Sequence, residues 1–176
     1  MEQDPIDIVR TQWSRERPDL DASGIEVVAR ILLLSNHLKR SAARQLARHA
    51  LNLWAYDVLA TLRRQGPPFQ LSPTELSRSA LLSPGAMTNR LDRLEASGYI
   101  ERRPDPDDRR GLLIALTPSG LELTDAAVEA RFEEAISSTS CLSTEERNQL
   151  SALLHKLIMN RPRKPSGAAS RAESQR

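Results

Sequence analysis

A single cysteine, Cys141, serves the whole chain. That excludes an intrachain disulfide and any multi-cysteine zinc site, and it fits a reducing, cytoplasmic setting. Aromatic residues make up only 3% of the sequence, too few for a surface that stacks successive unpaired bases. The seven glycines are scattered at the ends of predicted elements and form no phosphate-cradling loop. No nucleophile motif is present, and His37, His49 and His155 lie far apart, without metal-ligand spacing. Neither an enzyme nor a cofactor- or metal-binding protein is expected. No apolar run approaches the length of a membrane span. The start, Met1-Glu-Gln-Asp, is acidic and no apolar stretch follows it, unlike a secretory leader. Net charge is only +2, so any nucleic-acid surface must come from where the charges sit, not from their sum.

What is present is helix punctuation. Asp4-Pro5 reads as an N-cap followed by proline at the first helical position, with Ile6, Val9 and Trp13 at helical spacing behind it. A second helix starts at 21–23 and is expected to run to about Ala50, roughly 40 Å at ~1.5 Å per residue. Val27, Ile31, Leu34, Leu38 and Leu46 form its apolar stripe. Asn52 caps a third helix, which Gly66-Pro67-Pro68 stops. Ser72-Pro73-Thr74-Glu75 is a capping box, and Ser83-Pro84 opens another helix that ends at Ser97-Gly98. Two short capped helices so close together spell helix-turn-helix.

Residues 99–103 and 112–116 then read as two strands around a turn-rich segment, a hairpin in the position of a wing. Thr117-Pro118 and Ser143 start two last helices, and the Pro-, Ser- and Arg-rich segment from Arg161 reads as disordered. The expected fold is mainly α with a small β-hairpin, a winged helix-turn-helix. The expected regions are 1–50 (scaffold and dimerisation), 51–117 (winged helix-turn-helix), 118–160 (dimerisation helices) and 161–176 (tail). The terminal helices carry more apolar face than one small winged domain can cover, so a homodimer is expected.

On a helical wheel Met87, Leu91 and Leu94 cluster on one side of the helix opened by Ser83. Asn89 lies opposite them, with Gly85, Ala86 and Arg93 in the same outward arc. Asn reads adenine and Arg reads guanine through paired hydrogen bonds, while Ser83, Thr88 and the helix N-terminus suit a phosphate. In the wing, Arg109 and Arg110 stand among Asp105, Asp107 and Asp108. There Asp108 is expected to pair with Arg110 and stiffen the loop, leaving Arg109 for the minor groove. A solvated helix face and a charged hairpin turn are the plainer alternatives, as is a winged helix that contacts only proteins.

The segments Ser72-Pro-Thr-Glu-Leu-Ser, Asn89-Arg90-Leu-Asp-Arg-Leu-Glu, Gly98-Tyr-Ile-Glu-Arg-Arg and Asp107-Asp-Arg-Arg-Gly-Leu-Leu-Ile-Ala-Leu-Thr-Pro resemble the MarR family of regulators over residues 27–159. The resemblance implies a homodimer on duplex DNA, repressing a gene until a small phenolic or other ligand, or cysteine oxidation, releases it. Cys141 has no neighbouring cation or histidine in sequence to lower its pKa.

Asp57 is unexpected in the middle of an apolar helix, because burying a carboxylate is costly unless it is paired. Arg90, which flanks the apolar face of its helix, and Arg102, at the base of the wing, are possible partners. With the added first helix, the chain resembles the urate-responsive subgroup of the family, and Trp13, Asp57, Arg90 and Arg102 match that subgroup's ligand positions. Such a set suits a planar anionic heteroaromatic ligand. The alternatives are a regulator with no small-molecule ligand and a structural Asp–Arg bridge beside a core indole.

Overall fold

The computed structural model describes residues 4–79, 84–108 and 111–160, with the backbone alone for 84–86. Seven helices and three strands follow one another as α1 (Pro5–Glu16), α2 (Ser23–Ala47), α3 (Leu53–Arg63), β1 (Gln70–Leu71), α4 (Pro73–Ser79), α5 (Pro84–Ala96), β2 (Ile100–Pro104), β3 (Leu112–Leu116), α6 (Pro118–Ser138) and α7 (Thr144–Met159) among the described residues. The chain divides into two compact units between Ile136 and Ser137. Most of α6 thus lies in the first unit.

Local capping builds the helices. Asp4 accepts from the backbone N–H groups of Ile6 and Asp7, and the Asp7 carboxylate accepts from the Asp4 N–H in return. The Asn52 side chain accepts from the Ala55 N–H at 3.0 Å. Ser72 and Glu75 complete a reciprocal pair at the start of α4. In the second unit, Ser143 and Glu146 do the same for α7. Each such cap satisfies N–H groups that the helix itself cannot, typically worth ~1 kcal/mol. α2 ends at Ala47, earlier than the sequence pattern suggests, because residues 48–50 turn back on it and Ala50 adopts a left-handed φ of 54°.

One core holds the winged unit together. Leu46 from α2, Val58, Leu59 and Leu62 from α3, Leu76 from α4, and Met87, Leu91 and Leu94 from α5 are buried with Ile100, Ile114 and Ala127. The sheet is antiparallel in the order β1-β3-β2, with Arg102 opposite Ile114 and Gln70 opposite Ala115. β1 is only two residues long, too short to leave a periodic signal, and the sequence pattern misses it.

α1 has no buried residue. Charge fastens it to α2: Arg30 bonds Asp4 at 2.8 Å and Asp7 at 2.7 Å on α1, and Glu26 at 2.5 Å on its own helix. The Arg30 hydrogen bond holds the Asp4 pKa below its usual 3.8, against the opposing effect of desolvation. Because the folded-state value is depressed, this contribution to α1 docking is present above pH ~3.8 and is lost as pH falls through the lowered value. Arg30→Ala is expected to bring amide exchange across 5–16 close to unfolded rates at neutral pH while α3 and α5 keep their protection. Equal protection of α1 in the variant would show that other contacts hold it.

The joint between α5, β2 and α6 is built around Gly98 and Gly120. Gly98 takes a φ of 74°, which suits glycine, and closes α5 with Tyr99 N–H bonding the Leu94 carbonyl at 3.0 Å. The Gly98 carbonyl then accepts from the hydroxyls of Thr117 and Ser119 at 2.7 and 3.0 Å. Gly120 lies so close to the Tyr99 carbonyl that a Cβ there would collide with backbone. Gly120→Ala is therefore expected to destabilise the fold by about 1–3 kcal/mol, the usual range for overpacking, seen as a lower midpoint in thermal unfolding by circular dichroism. An unchanged midpoint would mean the joint relaxes freely.

Candidate nucleic-acid interface

α5 turns the side chains that the wheel assigns. Met87, Leu91 and Leu94 are 2–3% exposed against the core, which leaves Thr88, Asn89 and Arg93 exposed. The backbone at Gly85 and Ala86 is helical, as expected, whereas Ser83, Arg109 and Arg110 lie outside the described residues. The Asp108–Arg110 pairing expected in the wing therefore also falls outside them. Thr88, Asn89 and Arg93 form one outward face of donors and acceptors, the type of surface that reads base edges and phosphates.

Arg102, at the base of the wing, finds its partners on α5. It bonds Asp92 at 2.6 Å and also pairs with Glu95, both on α5. These partners, Asp92 first, hold its pKa above the usual arginine value against desolvation. The pairing ties β2 of the wing to α5. Arg102 is thus engaged by two carboxylates of α5.

Asp57 and Arg90 do share a neighbourhood. Asp57 remains solvent-accessible, yet desolvation by the surrounding chain raises its pKa, while Arg131, Arg90 and Arg64, in that order, act to lower it. Tyr56, alongside, is raised by burial in the same way. The Arg90 guanidinium lies 5.7 Å from the centroid of the Trp54 ring, within cation–π range. Its Nη1 is buried without a hydrogen-bond partner. A cavity of about 260 Å³ opens here, lined by Trp54, Asn89, Arg90 and Arg93. The indole beside Arg90 is therefore Trp54; Trp13 sits on α1 and is 51% exposed.

Spacing in the sequence could not reveal Arg131, the first of the cations acting on Asp57. It pairs with Glu134, which is 7% exposed, and its Nε is buried without a partner. One signal was available. Gly120, Thr124, Ala127, Arg131 and Glu134 recur at four- and three-residue steps, and all but Arg131 are buried. Two charged residues on such a stripe mark a polar site inside a packed face.

Comparison with known proteins agrees with this architecture. The MarR family pattern matches residues 49–111. The transcriptional regulator PecS of Dickeya dadantii is 37% identical over 148 residues, covering 84% of this chain and 89% of its own length. Wild-type MarR from E. coli in its apo form superposes with a TM-score of 0.62 at 27% identity, over 73% of this chain and 93% of that one. A mutant MarR from E. coli complexed with operator DNA reaches a TM-score of 0.68 at 24% identity, over 83% and 97% of the two chains, and shows the shared fold. The family is non-enzymatic, and homodimerism is typical of it. By this likeness, and by its buried-and-exposed patterning of α5 beside a two-stranded wing, the chain belongs to the MarR family of DNA-binding transcription regulators.

Proposed function

We propose that the protein is a homodimeric repressor that holds a near-palindromic operator and releases it when a small planar anion such as urate binds beside α5. Two copies of α5 would enter successive major grooves about 34 Å apart. The operator-bound structure of E. coli MarR, with the same fold, supports duplex DNA as the partner. Exposed Leu153, Leu154 and Leu157 on α7, and Leu32, Leu33 and Leu34 on α2, supply apolar surface for a second copy.

The observation that carries the ligand reading is the buried, unpartnered Nη1 of Arg90 against Trp54. An unsatisfied guanidinium N–H in a cavity calls for an anion, and the indole offers a flat surface to stack on. The volume, about 260 Å³, lies just under the ~300–1,000 Å³ of drug-sized sites, so it suits one fused ring system, not a dinucleotide. Asp57 can accept from ring N–H groups, and desolvation by the surrounding chain raises its pKa against the pull of Arg131, Arg90 and Arg64. Asn89 and Arg93 line the cavity and also face outward. An anion seated on Arg90 therefore competes for the side chains that meet DNA. It must bind the released state more tightly than the DNA-bound one, and DNA must weaken its binding by the same factor.

Arg93→Ala is expected to lose about 1–3 kcal/mol of discrimination between the operator and a variant at the base it contacts, measured by competition binding. Equal discrimination would remove Arg93 from base reading. For the ligand, urate titrated against wild type, Trp54→Phe, Trp13→Phe and Arg90→Ala should quench fluorescence and release operator in wild type and Trp13→Phe. Arg90→Ala should do neither, and Trp54→Phe should release operator with little quenching. A wild-type protein that stays on DNA at millimolar urate without quenching would overturn the pocket assignment.

A further inference from the structure

α2 changes character along its length. Its exposed large hydrophobic residues all fall within 25–34. Beyond them the exposed face carries Lys39, Arg40, Arg44 and Arg48. Arg40, Arg44 and Arg48 recur every fourth residue, so they share one face and span roughly 12 Å of helix axis. No carboxylate answers them: residues 27–56 contain no Asp or Glu in a chain that has 23. No ion pair to Lys39 or to the three arginines occurs among the described residues. A chain with a net charge of only +2 thus concentrates unneutralised cations on one short ridge.

The helix dipole accounts for part of this. Cations in the last turn favour the C-terminal end, but the effect fades within that turn. Arg40 stands outside it. The opposite face of the same segment is anchored: Ala42 and Leu46 are buried, and Leu46 belongs to the core that also holds Met87 and Leu91 of α5. The ridge is therefore mounted on the same packed body as the DNA-reading helix, and it leads directly into Asn52 and α3. Apolar surface at 25–34 suits a protein partner, whereas three arginines in line with no exposed large hydrophobic residue among them suit a polyanion. Duplex DNA presents one negative charge per ~1.7 Å of axis.

We propose that Arg40, Arg44 and Arg48 form an accessory ridge that binds the phosphate backbone of duplex DNA beyond the base pairs read by α5. This rests on the DNA-binding role above. The ridge adds affinity and length of footprint but no sequence preference, since phosphate contacts position the protein without reading bases.

The test compares the full-length wild type, the triple variant Arg40→Gln/Arg44→Gln/Arg48→Gln and the matching triple lysine variant. Each binds a minimal operator duplex and one extended by arbitrary flanking sequence, across a salt range. Three lost phosphate contacts on each protomer, six in the dimer, lower the salt slope by about 5.4 on a duplex extended at both ends. Between 50 and 200 mM salt, wild type should then lose on the order of 1,000-fold more affinity on the extended duplex than the glutamine variant does. The lysine variant should keep the wild-type slope, all three should retain the same ratio of operator to mutated-operator binding, and the gain from flanking DNA should vanish only in the glutamine variant. An unchanged slope on the extended duplex would overturn the ridge. So would conversion of the glutamine variant to monomers by light scattering, which would assign the face to a second copy. Wild type that binds neither duplex at low salt would instead overturn the DNA-binding reading itself.

Discussion

A thirteen-residue helix can bury only one stripe, and α5 buries Met87, Leu91 and Leu94. Fully burying each such side chain contributes roughly 1.5–3 kcal/mol. Turning the helix by one residue, about 100°, would bring most of that surface into water. The ion pairs of Arg102 with Asp92 and Glu95 are partly exposed, and exposed pairs contribute about 0–1 kcal/mol each. Packing therefore sets the rotation of α5, and the wing arginine only trims it. Everything at the interface follows from that rotation: Asn89 and Arg93 face outward, while Arg90 is left at the boundary, half buried against Trp54.

The boundary position of Arg90 makes the polar neighbourhood possible. A guanidinium there is too buried to be fully hydrated and too far round the helix to join the outward face. Asp57, Tyr56 and Arg131 gather on the same side, from α3 and α6. Three helices thus contribute to one electrostatic cluster. A change in charge at any member alters the interactions of groups on two other helices, which gives the cluster its reach.

The parts legible in the sequence were those with local causes. Asp4, Asn52, Ser72 and Ser143 start their helices because short polar side chains reach N–H groups two or three residues on. Periodicity alone separated Met87, Leu91 and Leu94 from Asn89 and Arg93. Long-range partners stayed hidden. Nothing in spacing links Arg102 to Asp92 and Glu95, or sets Arg131 beside Asp57, because only the folded helix and strand directions bring them together. Trp13 drew attention by resemblance, but Trp54, four residues before Val58 of the core, is the indole that meets Arg90. The two-residue β1 was invisible because its strand character comes from pairing with β3, not from its own composition.

The first helix shows how loosely an element can belong to a fold. α1 contributes no fully buried residue, and ion pairs of Arg30 with Asp4 and Asp7 join it to α2. With no fully buried residue on it, its loss would open no cavity in the core. Such a segment can be acquired, altered or discarded in evolution at little risk to the domain behind it. The region upstream of α2 can thus vary without disturbing the core shared by α2, α3 and α5.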